Sequence, residues 1–166
     1  MAKTAALALE RFLELLRDPA SGFRAQLNSI AARDGVPLKP LPQRSLFVMN
    51  AAPELVDQSR DADYPELFVY AETLENAGRE KFAYFSGPVR LGAEIRISSE
   101  VPDRLESDLH RHVEAILNVL HSAPQEWRPG MVFTGRYTAT CSPARLGGNN
   151  FLQTAKVSFD IDLFIQ

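Results

Sequence analysis

Apolar and polar positions along this chain change period from helical to alternating and back. Over residues 3–17, Ala5, Leu9, Phe12, Leu13 and Leu16 recur at the i, i+3, i+4 spacing of one helical face, with Glu10, Glu14 and Arg17 off it. Leu7 and Leu15 fall outside that stripe, which leaves a second face for a neighbour to cover. Pro19 ends the helix, because proline cannot continue the ladder and restricts the residue before it. Ser21 then caps a second helix carrying Phe23, Leu27, Ile30 and Ala31, and Gly35 stops it. The N-terminal helices are thus expected within residues 3–34. Prolines 37, 40 and 42 make residues 36–44 an extended connector. A short strand follows at Leu46–Met49. The acidic, polar stretch 53–65 reads as a helical turn and an exposed loop.

From Glu66 the period becomes two. Glu66–Thr73 reads as a strand, Asn76–Gly78 as its turn and Glu80–Phe85 as its partner. Gly87-Pro88 reads as a bulge or bend. Val89, Leu91, Ala93, Ile95 and Ile97 then alternate with Arg90, Gly92, Glu94, Arg96 and Ser98, which predicts a strand with one covered and one wet face in a mostly antiparallel sheet. Pro102 and Asp103 open a helix over 103–121 whose stripe is Leu105, Leu109, Val113, Ile116, Leu117 and Leu120, stopped by Pro124. Trp127, Pro129 and Gly130 read as a turn. Met131–Ser142 and Phe151–Ile165 read as two more strands joined by the loop 143–150. In the second, Ser158, Asp160 and Asp162 face out. Helices, then strands, a helix and strands again predict an α+β fold, with the long helix and the N-terminal helices packed on one face of the sheet. One domain spanning 1–166 suits this length.

Composition narrows the functional classes. The 18 basic and 21 acidic side chains give a net charge of −3, which disfavours a general nucleic-acid binder. No apolar run approaches the roughly 20 residues of a membrane span, so no membrane partner is expected. The single cysteine, Cys141, excludes an internal disulfide and any multi-cysteine metal cage. Glu10, Arg11, Glu14, Arg17 and Asp18 are foreign to a signal peptide, so none is expected in residues 1–20.

The candidate chemistry is thin. His110 and His112 point about 200° apart on a helix and cannot share a metal, so the histidines read as solvent-facing or flanking side chains. Cys141 reads as a packed small hydrophobe at a strand end, with no base or electropositive setting to activate it. Gly147-Gly148 leads into a strand, not a helix, so it reads as a hairpin tip and not a phosphate cradle. That tip offers Arg145, Asn149 and Asn150 for a protein contact. Asp160 and Asp162 are same-face carboxylates about 7 Å apart. Such a pair can do acid–base work or hold a cation, but on a wet strand face it more commonly serves solubility or blunts an edge. Fourteen arginines against four lysines favour protein interfaces. Arg90 and Arg96 flank Glu94 on one strand, and that face would pair with Asp160 and Asp162, within the sheet or across subunits. No catalytic residue, metal or cofactor is expected.

The stretch from Phe68 to Leu120, FVYAETLENAGREKFAYFSGPVRLGAEIRISSEVPDRLESDLHRHVEAILNVL, carries a strand ending in an acidic turn. A second strand ends as RLGAEIRISSE, and an amphipathic helix follows directly. With the closing strand KVSFDIDLFIQ, this order of elements resembles the tail terminator and tail-completion (head–tail joining) proteins of tailed bacteriophages. The resemblance implies a structural subunit, not an enzyme, in the tail of a phage or phage-like particle, assembled in the host cytoplasm. Such subunits form a homo-oligomeric ring, commonly of six, that caps the tail tube and meets head–tail connector proteins. DNA is then only passing cargo, which a mildly acidic lumen would not hold. Two other readings compete: a protein-binding or assembly-chaperone module that adds an edge strand, and a carboxylate-using enzyme built on Asp160 and Asp162 or on the acids of 54–63.

Overall fold

The protein is described by a computed structural model covering residues 2–50, 63–78 and 83–166. Most of the expected acidic segment 53–65, and Glu80–Phe82 of the expected partner strand, lie outside these described residues. Helix α1 (Ala2–Arg17) buries Thr4, Ala8, Phe12 and Leu16, one residue in four. Phe12 and Leu16 are buried as expected, and only the first two turns shift by one position, from Ala5 and Leu9 to Thr4 and Ala8. Ala5, Leu9 and Leu13 form one half-buried flank, and Leu7 and Leu15 form the other, so both sets of leucines find cover.

Ser21 does not cap helix α2 (Phe23–Asp34); that position is held by Gly22, without a side-chain bond. The Asp18 carboxylate instead accepts hydrogen bonds from the Ala20 and Ser21 amides (2.8 Å each) and the Ser21 hydroxyl (3.0 Å). These bonds hold its pKa below the usual carboxylate value. A Cβ at Gly22 would lie 2.4 Å from the Asp18 carbonyl oxygen, so only glycine fits this tight link. Gly35, at φ +66°, ends α2 in the left-handed conformation.

The strands are β1 (Leu46–Phe47), β2 (Glu66–Leu74), β3 (Phe85–Ser99), β4 (Glu126–Arg128), β5 (Met131–Cys141), β6 (Arg145–Gly147) and β7 (Asn150–Ile165). They form one curled sheet in the order β1-β2-β3-β7-β5-β4, with β6 beside β7. Every pairing is antiparallel except β1 with β2. Helix α3 (Pro102–Ser122) and α1 cover one face, and α2 packs against both of these helices, so the α+β architecture is as expected.

Gly87-Pro88 does not interrupt β3. Pro88 lies opposite Asp162 of β7, and its carbonyl accepts the Glu75 amide at 3.0 Å. Gly87 makes this crossing possible, because a Cβ there would sit 2.0 Å from the Glu75 carbonyl oxygen. The strand thus runs through a dipeptide that usually marks a break.

Trp127 is a second departure. It belongs to β4, not to a turn, and only Pro129–Gly130 connects β4 to β5. Its indole stacks on Phe12 (6.0 Å between ring centres) and on Phe133 (5.9 Å), while Phe12 meets Phe159 edge-on at 4.8 Å. This aromatic group pins α1 to the β5–β7 half of the sheet, each ring contributing about 1.5–3 kcal/mol from burial.

His112 also departs from expectation: it is buried, between α3 and the connector. Its Nδ1 lies 2.6 Å from the Asp108 carbonyl oxygen, which can only accept, so Nδ1 carries the proton. Burial holds its pKa below the ordinary value of 6.5, against the opposing pull of the Asp108 and Lys39 backbones. Helical spacing places His112 on this buried face, three residues after Leu109 and four before Ile116, and the connector at Leu38 and Lys39 completes its cover.

Candidate functional site

The face of the sheet away from the helices holds most of the charged residues that the alternating pattern singled out. Register brings them together: Arg90 lies opposite Asp160, Glu94 opposite Lys156, and Arg96 opposite Glu66. The expected pairing of the Arg90–Arg96 face with Asp160 therefore occurs within one sheet. Arg90 Nη1 approaches Asp160 at 3.8 Å, and Arg96 Nε donates to Glu94 Oε1 at 2.7 Å.

At the centre is a residue the sequence reading passed over, Glu72. It is the extra residue where β2 bulges against β3 between Ala71 and Thr73. Its carboxylate accepts from the Ser158 hydroxyl (2.9 Å) and pairs with Lys156 Nζ (3.0 Å) and Arg90 Nε (3.3 Å). Gly92 makes room for it, since a Cβ there would lie 2.9 Å from both Glu72 Oε1 and the Tyr70 ring. Burial, and then the charges of Glu94 and Glu72, push the Tyr70 hydroxyl up to about 12.

This face is not uniformly wet. Phe68 is fully buried and stacks on Phe47 at 4.9 Å, and the Arg96 guanidinium lies 4.0 Å over the Phe68 ring. Arg96 is itself buried, contrary to the expectation of an exposed interface arginine. The signal was in the sequence: Leu67-Phe68-Val69-Tyr70-Ala71 is apolar at both parities, the mark of a strand covered on both faces.

Two shallow, open depressions flank the charge ladder along β5. One, of about 410 Å³, lies at a bulge where β5 and β7 shift register between Phe133 and Tyr137. Gly135 takes φ +77° there, and the Thr134 hydroxyl donates to the Asp160 carbonyl at 3.0 Å. The bulge turns Arg136 outward, its side chain 74% exposed and its guanidinium still 4.0 Å from Asp160. The other depression, about 320 Å³, lies at Cys141 and Lys156. Cys141 is exposed, not packed as expected, and desolvation raises its pKa, as does the charge of Glu106.

The remaining candidates lie elsewhere. Arg145 (in β6), Asn149 and Asn150 form the far hairpin, ten residues along β7 from Asp160, or about 33 Å. Gly148, at φ +69°, and Asn149 are its turn, and β6 lies within what read as loop 143–150. Asp162, half-buried opposite Pro88, belongs to the strand end nearer Gly130. Asp160 thus engages the arginine side of the ladder, while Asp162 faces other neighbours. Among the described residues, no group of three or more His, Cys, Asp or Glu side chains is placed to hold a metal ion.

A second network joins helices. Arg33 grips Glu114 with two bonds (2.5 and 3.0 Å), and Arg111 bonds Asp34 at 2.9 Å. Arg33 and Arg111 hold the Asp34 carboxyl down at about 2.

Taken together, the chain is an α+β protein whose outer charges largely engage one another and whose sheet is open along β5. No family model matches the sequence, and no curated protein matches it.

Proposed function

We propose that this chain is a structural subunit of a phage or phage-like tail, forming a ring that caps the tail tube and joins it to the head. The observation that carries the reading is the open sheet at β5. Every residue from Gly135 to Cys141 is exposed, and among the described residues no strand covers that edge beyond β4. A strand edge left open is a template for another chain. A contact that repeats head to tail closes into a ring when its rotation closes.

The polar face supports the same reading. Glu72, Asp160, Arg90 and Lys156 engage one another across strands, which stiffens a sheet, and Arg96 pairs with Glu94 along β3. The element order from Phe68 onward, which resembles the tail terminator proteins, adds the particular assembly.

Electron microscopy of the purified chain, alone and mixed with tail tubes of its own particle, tests the proposal. Closed rings, and density capping tube ends, are the expected result. Free monomers with bare tube ends would count decisively against it.

A further inference from the structure

We propose that the subunit contact is made by the two ends of the same sheet, the β5 edge of one copy receiving the Val48–Met49 segment of the next. The inference rests on the ring reading and names its interface.

The first observation is where the exposed apolar side chains lie. Six large ones are exposed among the described residues, and four of them mark the two ends of the sheet. Val48 (52%) and Met49 (49%) directly follow β1, the strand at one end of the order. Tyr137 (42%) and Leu146 (73%) lie on β5 and β6, along the opposite side. Among the described residues every other leucine and phenylalanine is at least partly buried, so the apolar surface at the two ends stands out.

The second observation is charge. From Ser45 to Asn50 no residue is charged, and none is from Tyr137 to Ala144, in a chain with 23% charged residues. Edges that must stay single usually carry charged side chains, proline or a bulge; on β5 the bulge and the exposed Arg136 lie before Tyr137, at the start of the free stretch. Tyr137–Cys141 carries none of these, and its two threonines are β-branched residues suited to cross-strand pairing. Two uncharged, apolar ends of one sheet match each other, and a second copy brings the required end with it. Their positions at opposite ends make the contact heterologous, as a ring needs.

The test is complementation, read by mass photometry and sedimentation. One full-length variant carries Tyr137→Lys with Ala139→Lys; the other carries Val48→Lys with Met49→Lys. All four sites are exposed, and an unchanged Trp127 emission maximum checks each fold. Wild-type chain is expected as a closed oligomer and each variant as a monomer. The two variants mixed are expected to give a species of twice the 18.5 kDa monomer mass and nothing larger, because one intact end of each remains. If a variant unfolds, the single changes Ala139→Glu and Met49→Glu are read the same way. Variants that keep the wild-type oligomer, or a mixture that stays monomeric, would overturn the interface while leaving the ring. A wild-type chain that is monomeric in solution and absent from tube ends would overturn both.

Discussion

Glu72 is the side chain whose loss would report most directly on whether the outer charges serve the fold. Glu72→Gln keeps the shape and an oxygen that can accept from Ser158, but removes the charge that faces Lys156 and Arg90. The Glu72 side chain is 16% exposed, against 42% for Lys156 and 38% for Arg90. The pairs are therefore neither surface bridges, which contribute about 0–1 kcal/mol, nor fully buried ones, whose breakage costs about 3–5 kcal/mol. Lys156 loses its carboxylate at 3.0 Å and Arg90 falls back on Asp160 at 3.8 Å, which places the expected loss at ~2 kcal/mol. For a chain of this size that is a fall of about 4–8 °C in Tm. The chain has a single tryptophan, Trp127, and it is buried, so urea unfolding followed by its fluorescence reads the loss directly. In a double-mutant cycle with Lys156→Met, the coupling should be about 1 kcal/mol and should largely survive high salt. A loss below about 0.5 kcal/mol, or a coupling abolished by salt, would refute the reasoning, because the charges would then behave as freely solvated ones.

His112 should make stability fall in mild acid. Its folded pKa lies below 6.5, so as pH drops through 6.5 the unfolded chain takes up a proton that the fold resists, and above that range the effect is absent. The urea midpoint of the wild type should fall more between pH 7.5 and 5.5 than that of His112→Leu; equal slopes would remove His112 as the cause. Gly87→Ala should destabilise by about 1–3 kcal/mol or more, because its methyl would meet the Glu75 carbonyl at 2.0 Å and backbone must move. A wild-type urea midpoint in that variant would show that the β2–β3 crossing is looser than described.

Much of the scaffold was legible because single-face periodicity is strong where one face is buried. Helix α3 and strands β3 and β7 alternate against the same core, and both the α+β class and the helix-covered face follow from them. What stayed hidden depended on partners distant in sequence. Trp127 between Pro124 and Pro129-Gly130 looks like turn material, and only Phe12 and Phe133, brought in from elsewhere, make it core. Ser21 lost its capping role to an Asp18 that reads as ordinary surface acid. The candidate site was half legible. Alternation put Arg90, Glu94, Arg96 and Asp160 on one face, but no periodicity marks a bulge. Glu72 and Arg136, the residues that bulges re-aim, were therefore missed.

The place of β7 has a consequence for how the molecule is made. β7 lies between β3 on one side and β5 with β6 on the other, yet it follows all of them in the chain. Phe12, translated early, finds Phe159 only when β7 emerges from the ribosome. Until then the nascent chain holds a helical pair, a β2–β3 hairpin and β5 without the strand that joins them. Closure of the sheet waits for β7, and contacts of long sequence separation make such folding slow.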